Sequence, residues 1–139
     1  MAGGIDQNQL DALFTAALEA AVARIEKDGT FFPLLFELRV TGSIQNVAVL
    51  ESGAIDGQQT VLDRFAEVLR SRIAEGLVAA AAIVVHRQTE DMVEVQLRAT
   101  NYSANVFAPY GMETSGFLAR KRQLSLGAFI VRPAPNEIF

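Results

Sequence analysis

Leu77-Val-Ala-Ala-Ala-Ala-Ile-Val-Val85 is an unbroken apolar run between Gly76 and His86-Arg87-Gln88. A helix that crosses a bilayer needs about 20 apolar residues, so this run is too short to span one. Its small and β-branched residues suit a strand covered on both faces. A strand over 77–87 at the centre of a sheet is the starting point, and the rest of the chain is arranged around it.

Downstream, Thr89-Glu90 predicts a tight turn into a second strand, Met92–Thr100. In that register Val84 opposes Val95, Ala82 opposes Leu97, and His86 faces Val93 on the inward side. Glu94, Gln96 and Arg98 face the other way, beside Val85, Ile83 and Ala81. Residues 101–105, rich in Asn and Ser, read as a turn or bulge. Val106–Tyr110 reads as a further strand, placed at an edge by Pro109. Gly111–Gly116 reads as a loop, Phe117–Val131 as one or two strands broken near Gly127, and Pro133-Ala134-Pro135 as the lead into a tail.

Upstream, Gly76 ends a helix whose apolar stripe is Val61, Leu62, Phe65, Val68, Leu69 and Ile73, capped by Asp56 after a loop at 51–57. Before it, Phe31–Val40 alternates with period two from Pro33 onward. Gly42-Ser43 suits a two-residue hairpin turn, which sets Leu38 against Val47 and Phe36 against Val49, with Glu37 and Arg39 on the other face near Ala48 and Asn46. Asp6 and Gln9 form a capping box for a first helix over 7–28, striped by Leu10, Leu13, Phe14, Ala17, Leu18, Ala21, Val22 and Ile25 and stopped at Gly29.

The resulting order, α-β-β-α-β-β-β with a further strand possible at the end, is an α+β layout in one domain over 1–139. It predicts two helices packed on one face of a mainly antiparallel sheet of about five to six strands. This element order is similar to that of profilin-like modules of the roadblock and longin type. Phe31-Phe32-Pro33, the Ala79–Val85 strand, Pro109-Tyr110 and Glu137-Ile138-Phe139 resemble a pattern in small uncharacterised bacterial α+β proteins, a resemblance that brings no activity and no functional residue with it.

Composition narrows the chemistry. Half of the 139 residues are apolar and a fifth are charged, as in a globular protein. The net charge of -4 disfavours nucleic acid, which is bound first through a positive field. With no cysteine there is no disulfide, thiol nucleophile or thiolate metal site. One histidine cannot form a His–His metal pair within a chain, so neither metal nor cofactor is expected. The first residues lack the basic-then-apolar form of a secretory leader, and position 2 is Ala rather than the Gly that myristoylation requires. The expected compartment is the cytoplasm, with no membrane association.

Three sets of residues could carry chemistry. His86 lies at the polar end of the central strand and would act as a general base if a carboxylate and an open pocket met it. The commoner role for such a residue is a hydrogen-bonded imidazole at the sheet margin. Glu37 and Glu94, with Arg39 and Arg98, lie on outward faces. They would serve as an acid pair on neighbouring strands, or as ion pairs on a solvated face. Arg120, Lys121 and Arg122 form the only basic cluster, fit for an anion, although strand alternation would send Lys121 to the opposite face. Gly111–Gly116 lacks the Gly-Lys-Ser/Thr of a phosphate loop, and Glu113 stands where a nucleophile elbow before Ser115 needs Gly.

Apolar residues are in surplus. Ala16, Ala20, Val22 and Ala23 flank the first helix stripe, and Ile83 and Val85 sit on the outer sheet face. An uncovered patch of several hundred Å² marks an association site, and the symmetric homodimer is its commonest solution. The expectation is a non-catalytic protein-interaction or regulatory module that acts as a homodimer. The alternative is a small ligand-binding protein or enzyme using His86 with a carboxylate.

Overall fold

In a computed structural model the chain runs α1 (Gln7–Asp28), β1 (Leu34–Arg39), β2 (Ile44–Val49), α2 (Val61–Ala74), β3 (Val78–Arg87), a 3-10 turn (Gln88–Glu90), β4 (Met92–Ala99), β5 (Tyr102–Ser115), β6 (Lys121–Leu126) and β7 (Ile130–Pro133). The structure describes residues 7–31, 33–49, 61–100, 102–115, 121–136 and 138–139, with backbone alone at 47–49, 61, 62, 64, 112–115 and 121–123. The expected caps Asp6 and Asp56 and the loop at 51–57 lie outside the described residues.

The sheet order is β2-β1-β3-β4-β5-β6, with β7 also on β5. Every described pairing is antiparallel. The α+β class and the antiparallel sheet hold, with seven strands in place of five or six. No described helix is long and apolar enough to cross a membrane.

β3 lies between β1 and β4, and the register expected for it is the one found, including Val84 on Val95 and His86 on Val93. The run is apolar at every position because both of its faces are covered. Ala80, Ala82 and Val84 join Leu34, Phe36, Leu38 and the α1 residues Leu13, Ala17, Ala21 and Ile25 in one core. Ala81 and Ile83 join Leu35 and the α2 residues Phe65 and Leu69 in a second. The two helices therefore lie on opposite faces rather than sharing one. A sheet centred on a strand that is apolar on both sides needs a cover on each side. Ile83, expected to be bare, is fully buried beneath α2.

The C-terminal tail completes the second cover. Asn136 Nδ2 donates to the Ala99 carbonyl at 2.7 Å, while Asn136 Oδ1 accepts from the N–H of Phe139 at 3.0 Å. This holds Ile138 and Phe139 against the α2-side core.

Two turns show why local chemistry set the register. After α2, the Gly76 N–H donates to the Ile73 carbonyl and the Leu77 N–H to that of Arg72, with Gly76 at φ +73. This is the paired closure that a left-handed residue permits. Between β1 and β2, Gly42 takes φ +98 as the last residue of a three-residue loop, closed by Gly42 N–H on the Arg39 carbonyl and Arg39 N–H on that of Ser43. Leu38 consequently faces Ile44 and Phe36 faces Asn46, not Val47 and Val49 as a two-residue turn would require, and Glu37 faces Gln45.

The second half also departs from the sequence reading. Tyr102–Asn105 is strand, not turn, because Ala99 already pairs with Tyr102. Gly111–Ser115 continues the same strand against β6. Pro109 sits inside β5 rather than at an edge. Its carbonyl accepts from Gly127 N–H, and its missing N–H falls where 127–129 interrupts the neighbouring β6 and β7. The break expected near Gly127 is there.

Candidate functional site

His86 stands on the α1 face near the end of β3. Its Nδ1 lies 2.8 Å from Thr30 Oγ1, its Nε2 lies 2.7 Å from the Tyr110 hydroxyl, and Phe31 stacks on the ring with centroids 5.2 Å apart. Thr30 and Phe31 arrive from the link after α1. Tyr110 is held in place by its own N–H donating to the Asp91 carbonyl. Burial pushes the His86 pKa down, against the charge of Asp91. Burial, with Asp91 in support, pushes the Tyr110 phenol up. The imidazole is thus neutral and the phenol protonated at neutral pH. A neutral ring has one donor and one acceptor nitrogen, so the two hydroxyls occupy both. His86 lines none of the three cavities described below.

Glu37 and Glu94 share the α2 face, but β3 separates their strands and each has its own partners. The Glu37 side chain is 0% exposed and accepts from Arg72 Nε at 2.8 Å, from Arg72 Nη2, and from Arg39 Nε at 2.9 Å. Burial would raise its pKa, but the hydrogen bonds and charges of Arg72 and Arg39 outweigh that and lower it. Glu94 accepts from Arg87 Nη1 at 3.0 Å and from Gln96 Nε2 at 2.7 Å. Arg98 Nη1 donates to the carbonyls of Leu97 and Ala104 and to Asn105 Oδ1. The expected solvated face is therefore a buried one, with Glu37, Glu94 and Arg98 at 0%, 5% and 2% exposure. Gln96 Oε1 is buried there without a hydrogen-bond partner. His86 and the two carboxylates lie on opposite faces of the sheet. Of the expected anion patch, Arg120 and the side chains of Lys121 and Arg122 lie outside the described residues.

Among the described residues, large apolar side chains are exposed singly at Val40, Val68 and Leu77 and together at the end of the sheet around β7. Phe129, Ile130 and Val131 are 45%, 40% and 56% exposed, and Leu126 is 42% exposed. Strand alternation puts Val131 on the α1 face, opposite Val106, and Ile130 and Arg132 on the other. Each face carries a cavity beside β7. On the α1 face, about 200 Å³ lies among Leu10, Phe14, Leu97, Tyr102, Phe129 and Val131, where Phe14 and Phe129 meet edge to face at 5.4 Å. On the α2 face, about 220 Å³ lies among Arg87, Glu90, Met92, Phe107, Ile130 and Arg132. Both guanidiniums sit over the Phe107 ring, at 5.8 and 5.9 Å. A third hollow, also about 220 Å³, runs from Pro109 to Gly111 and along Ser125–Gly127.

Sequence reasoning named Phe107 and Arg132 only beside the basic cluster, as an aromatic neighbour and a convergent cation, and did not single out Phe129 or Val131. The available signal was Phe129-Ile130-Val131, apolar at both parities in a segment next to the chain's last glycine. No protein-family model matches the chain, and no curated protein or solved structure is significantly similar to it.

Proposed function

We propose that this chain is a non-catalytic protein-interaction module that acts as a homodimer. The observation that carries this reading is the cluster of half-exposed apolar side chains at Leu126, Phe129, Ile130 and Val131. Together they leave on the order of 300 Å² of apolar surface at one end of the sheet, with Val131 on the α1 face and Ile130 on the other. Three cavities among the described residues, at about 200 to 220 Å³, also fall below the roughly 300–1,000 Å³ of small-molecule sites. Each is the size of a side chain rather than of a metabolite.

The competing reading, an enzyme or ligand-binding protein that uses His86 with a carboxylate, draws no support from the site. The imidazole is engaged by two hydroxyls and capped by Phe31. Sedimentation velocity from low to high micromolar concentration tests the proposal. The expected result is a monomer–dimer equilibrium that Val131→Glu shifts to monomer and His86→Gln leaves alone. A single monomeric species throughout would refute it.

A further inference from the structure

We infer that the two copies join by adding β7 to β7 in antiparallel fashion about a two-fold axis at Val131, so that two sheets become one. This rests on the homodimer reading and names its interface.

The backbone is the first argument. The Ala134 N–H donates to the Ser103 carbonyl, and the β5–β7 register continues from that pair through Arg132 on Asn105 and Ile130 on Phe107. Bonded pairs in an antiparallel ladder recur at every second residue. Ile130 and Arg132 therefore turn their N–H and C=O toward β5, and Val131 turns both outward. A residue with both groups free is self-complementary about a two-fold, because each copy's Val131 N–H meets the other's Val131 carbonyl. The pairing is short, since Pro133, the next outward residue, has no N–H to give.

The side chains agree with this arrangement. On the α1 face Val131 would meet its own counterpart, next to the Phe14–Phe129 pair. On the other face each Ile130 would lie opposite the second copy's Arg132. The Phe107 ring already holds that guanidinium over the sheet, leaving the methylene stem to cover Ile130. At the opposite sheet edge, the described side chains of β2 include exposed Gln45 and Asn46.

The size of the contact sets its strength. The contact takes only part of the roughly 300 Å² of exposed apolar surface per copy, well below the roughly 800 Å² per partner of a standard stable interface, so the dimer is a concentration-dependent one. Each copy carries a net charge of -4, and two Arg132 side chains approach the axis. Like charges oppose the contact on both counts, and added salt tightens it.

The absence of native cysteine makes the test clean. In a bonded antiparallel pair the Cα atoms lie about 5.5 Å apart, within disulfide reach. Val131→Cys is therefore expected to form a covalent dimer under mild oxidation. Ile130→Cys and Arg132→Cys stand diagonal to their own copies, roughly 7–8 Å apart, and are expected to stay monomeric when oxidised alone yet link when mixed. If wild type dimerises in sedimentation but Val131→Cys links no faster than the other two, strand addition is overturned and the homodimer reading survives. If wild type is monomeric at high micromolar concentration, both are overturned.

Discussion

Leu13→Ala and Leu69→Ala together test the two-sided architecture. Leu13 on α1 and Leu69 on α2 are both 0% exposed, but they belong to cores on opposite sides of the sheet. A buried Leu→Ala change costs the transfer energy of the lost methyls plus the cavity, about 2–5 kcal/mol depending on how well the site relaxes. Leu13 lies in the larger core, beneath a curled sheet that cannot follow it, and should cost about 4 kcal/mol. Leu69 lies in the smaller one, where Ile138 and Phe139 of the tail are only partly buried and free to shift inward. Its cost should be about 2.5 kcal/mol. Sites separated by a full sheet share no neighbours, so the double variant should lose the sum to within about 0.5 kcal/mol. Urea unfolding followed by circular dichroism, with a common slope for all four proteins, gives these numbers. Coupling above about 1 kcal/mol would refute the opposite-face reasoning, as would a cost for Leu69→Ala of less than about 1 kcal/mol.

The Glu37 carboxyl has a lowered pKa when folded, so its stabilisation is present above the ordinary carboxylate value of about 4.3 and fades as pH falls through the folded value. Glu37→Gln should cost about 2 kcal/mol at pH 7 and little in strong acid, and a deficit that persists unchanged in acid melts would contradict this. His86 is the chain's one histidine, so a single imidazole resonance reports it. Its midpoint should fall below the free value of about 6.5, with stability lost as pH drops from there, and a raised midpoint would contradict a neutral imidazole held between Thr30 and Tyr110. Asn136→Ala removes the anchor that ties the tail to Ala99. It should cost about 1–2 kcal/mol and expose the chain beyond Pro133 to limited proteolysis, whereas unchanged protease resistance would show that the tail is held by Ile138 and Phe139 alone.

How much of this was legible in the sequence depends on where each restraint comes from. The bounds of α1 and the whole β3–β4 register follow from local pattern. Helix periodicity is set within a few turns, and a strand pair with one fully apolar member has a single register that keeps Glu94, Gln96 and Arg98 together. The β1–β2 register was not legible, because Gly42 serves a two-residue and a three-residue turn equally well and the two differ only in how the strands meet. Val106–Tyr110 reads as strand, but its flanks Tyr102–Asn105 and Gly111–Ser115 read as turn and loop on propensity, and pairing with β4, β7 and β6 overrode their Ser, Asn and Gly content. The face of His86 was legible from alternation. Its partners were not, since Thr30 and Tyr110 lie 56 and 24 positions away and meet it only through the curl of the sheet. The polar face was misjudged for a related reason. Alternation tells which residues share a face, and only the tertiary cover tells whether that face is wet.

That cover also explains which polar residues the second face tolerates. The α2-side core draws its sheet members from β1 and β3 alone, at Leu35, Val78, Ala81 and Ile83. Beyond β3 the same face changes character to Glu94, Gln96 and Arg98 on β4 and Ser103 and Asn105 on β5. Glu37 on β1 is the polar exception beneath α2, and there Arg72 of the helix supplies its partner, so each side chain is matched to what lies over it. Ile130 on that face breaks the rule, and Val131 on the α1 face is equally uncovered. Both lie at the far end of the sheet from α2 and are half-exposed. An exposed edge is commonly blunted by charge or proline, and here Arg132 and Pro133 blunt one end while leaving the Val131 backbone open. A strand protected against open-ended pairing but not against a single two-fold contact is what a closed dimer requires.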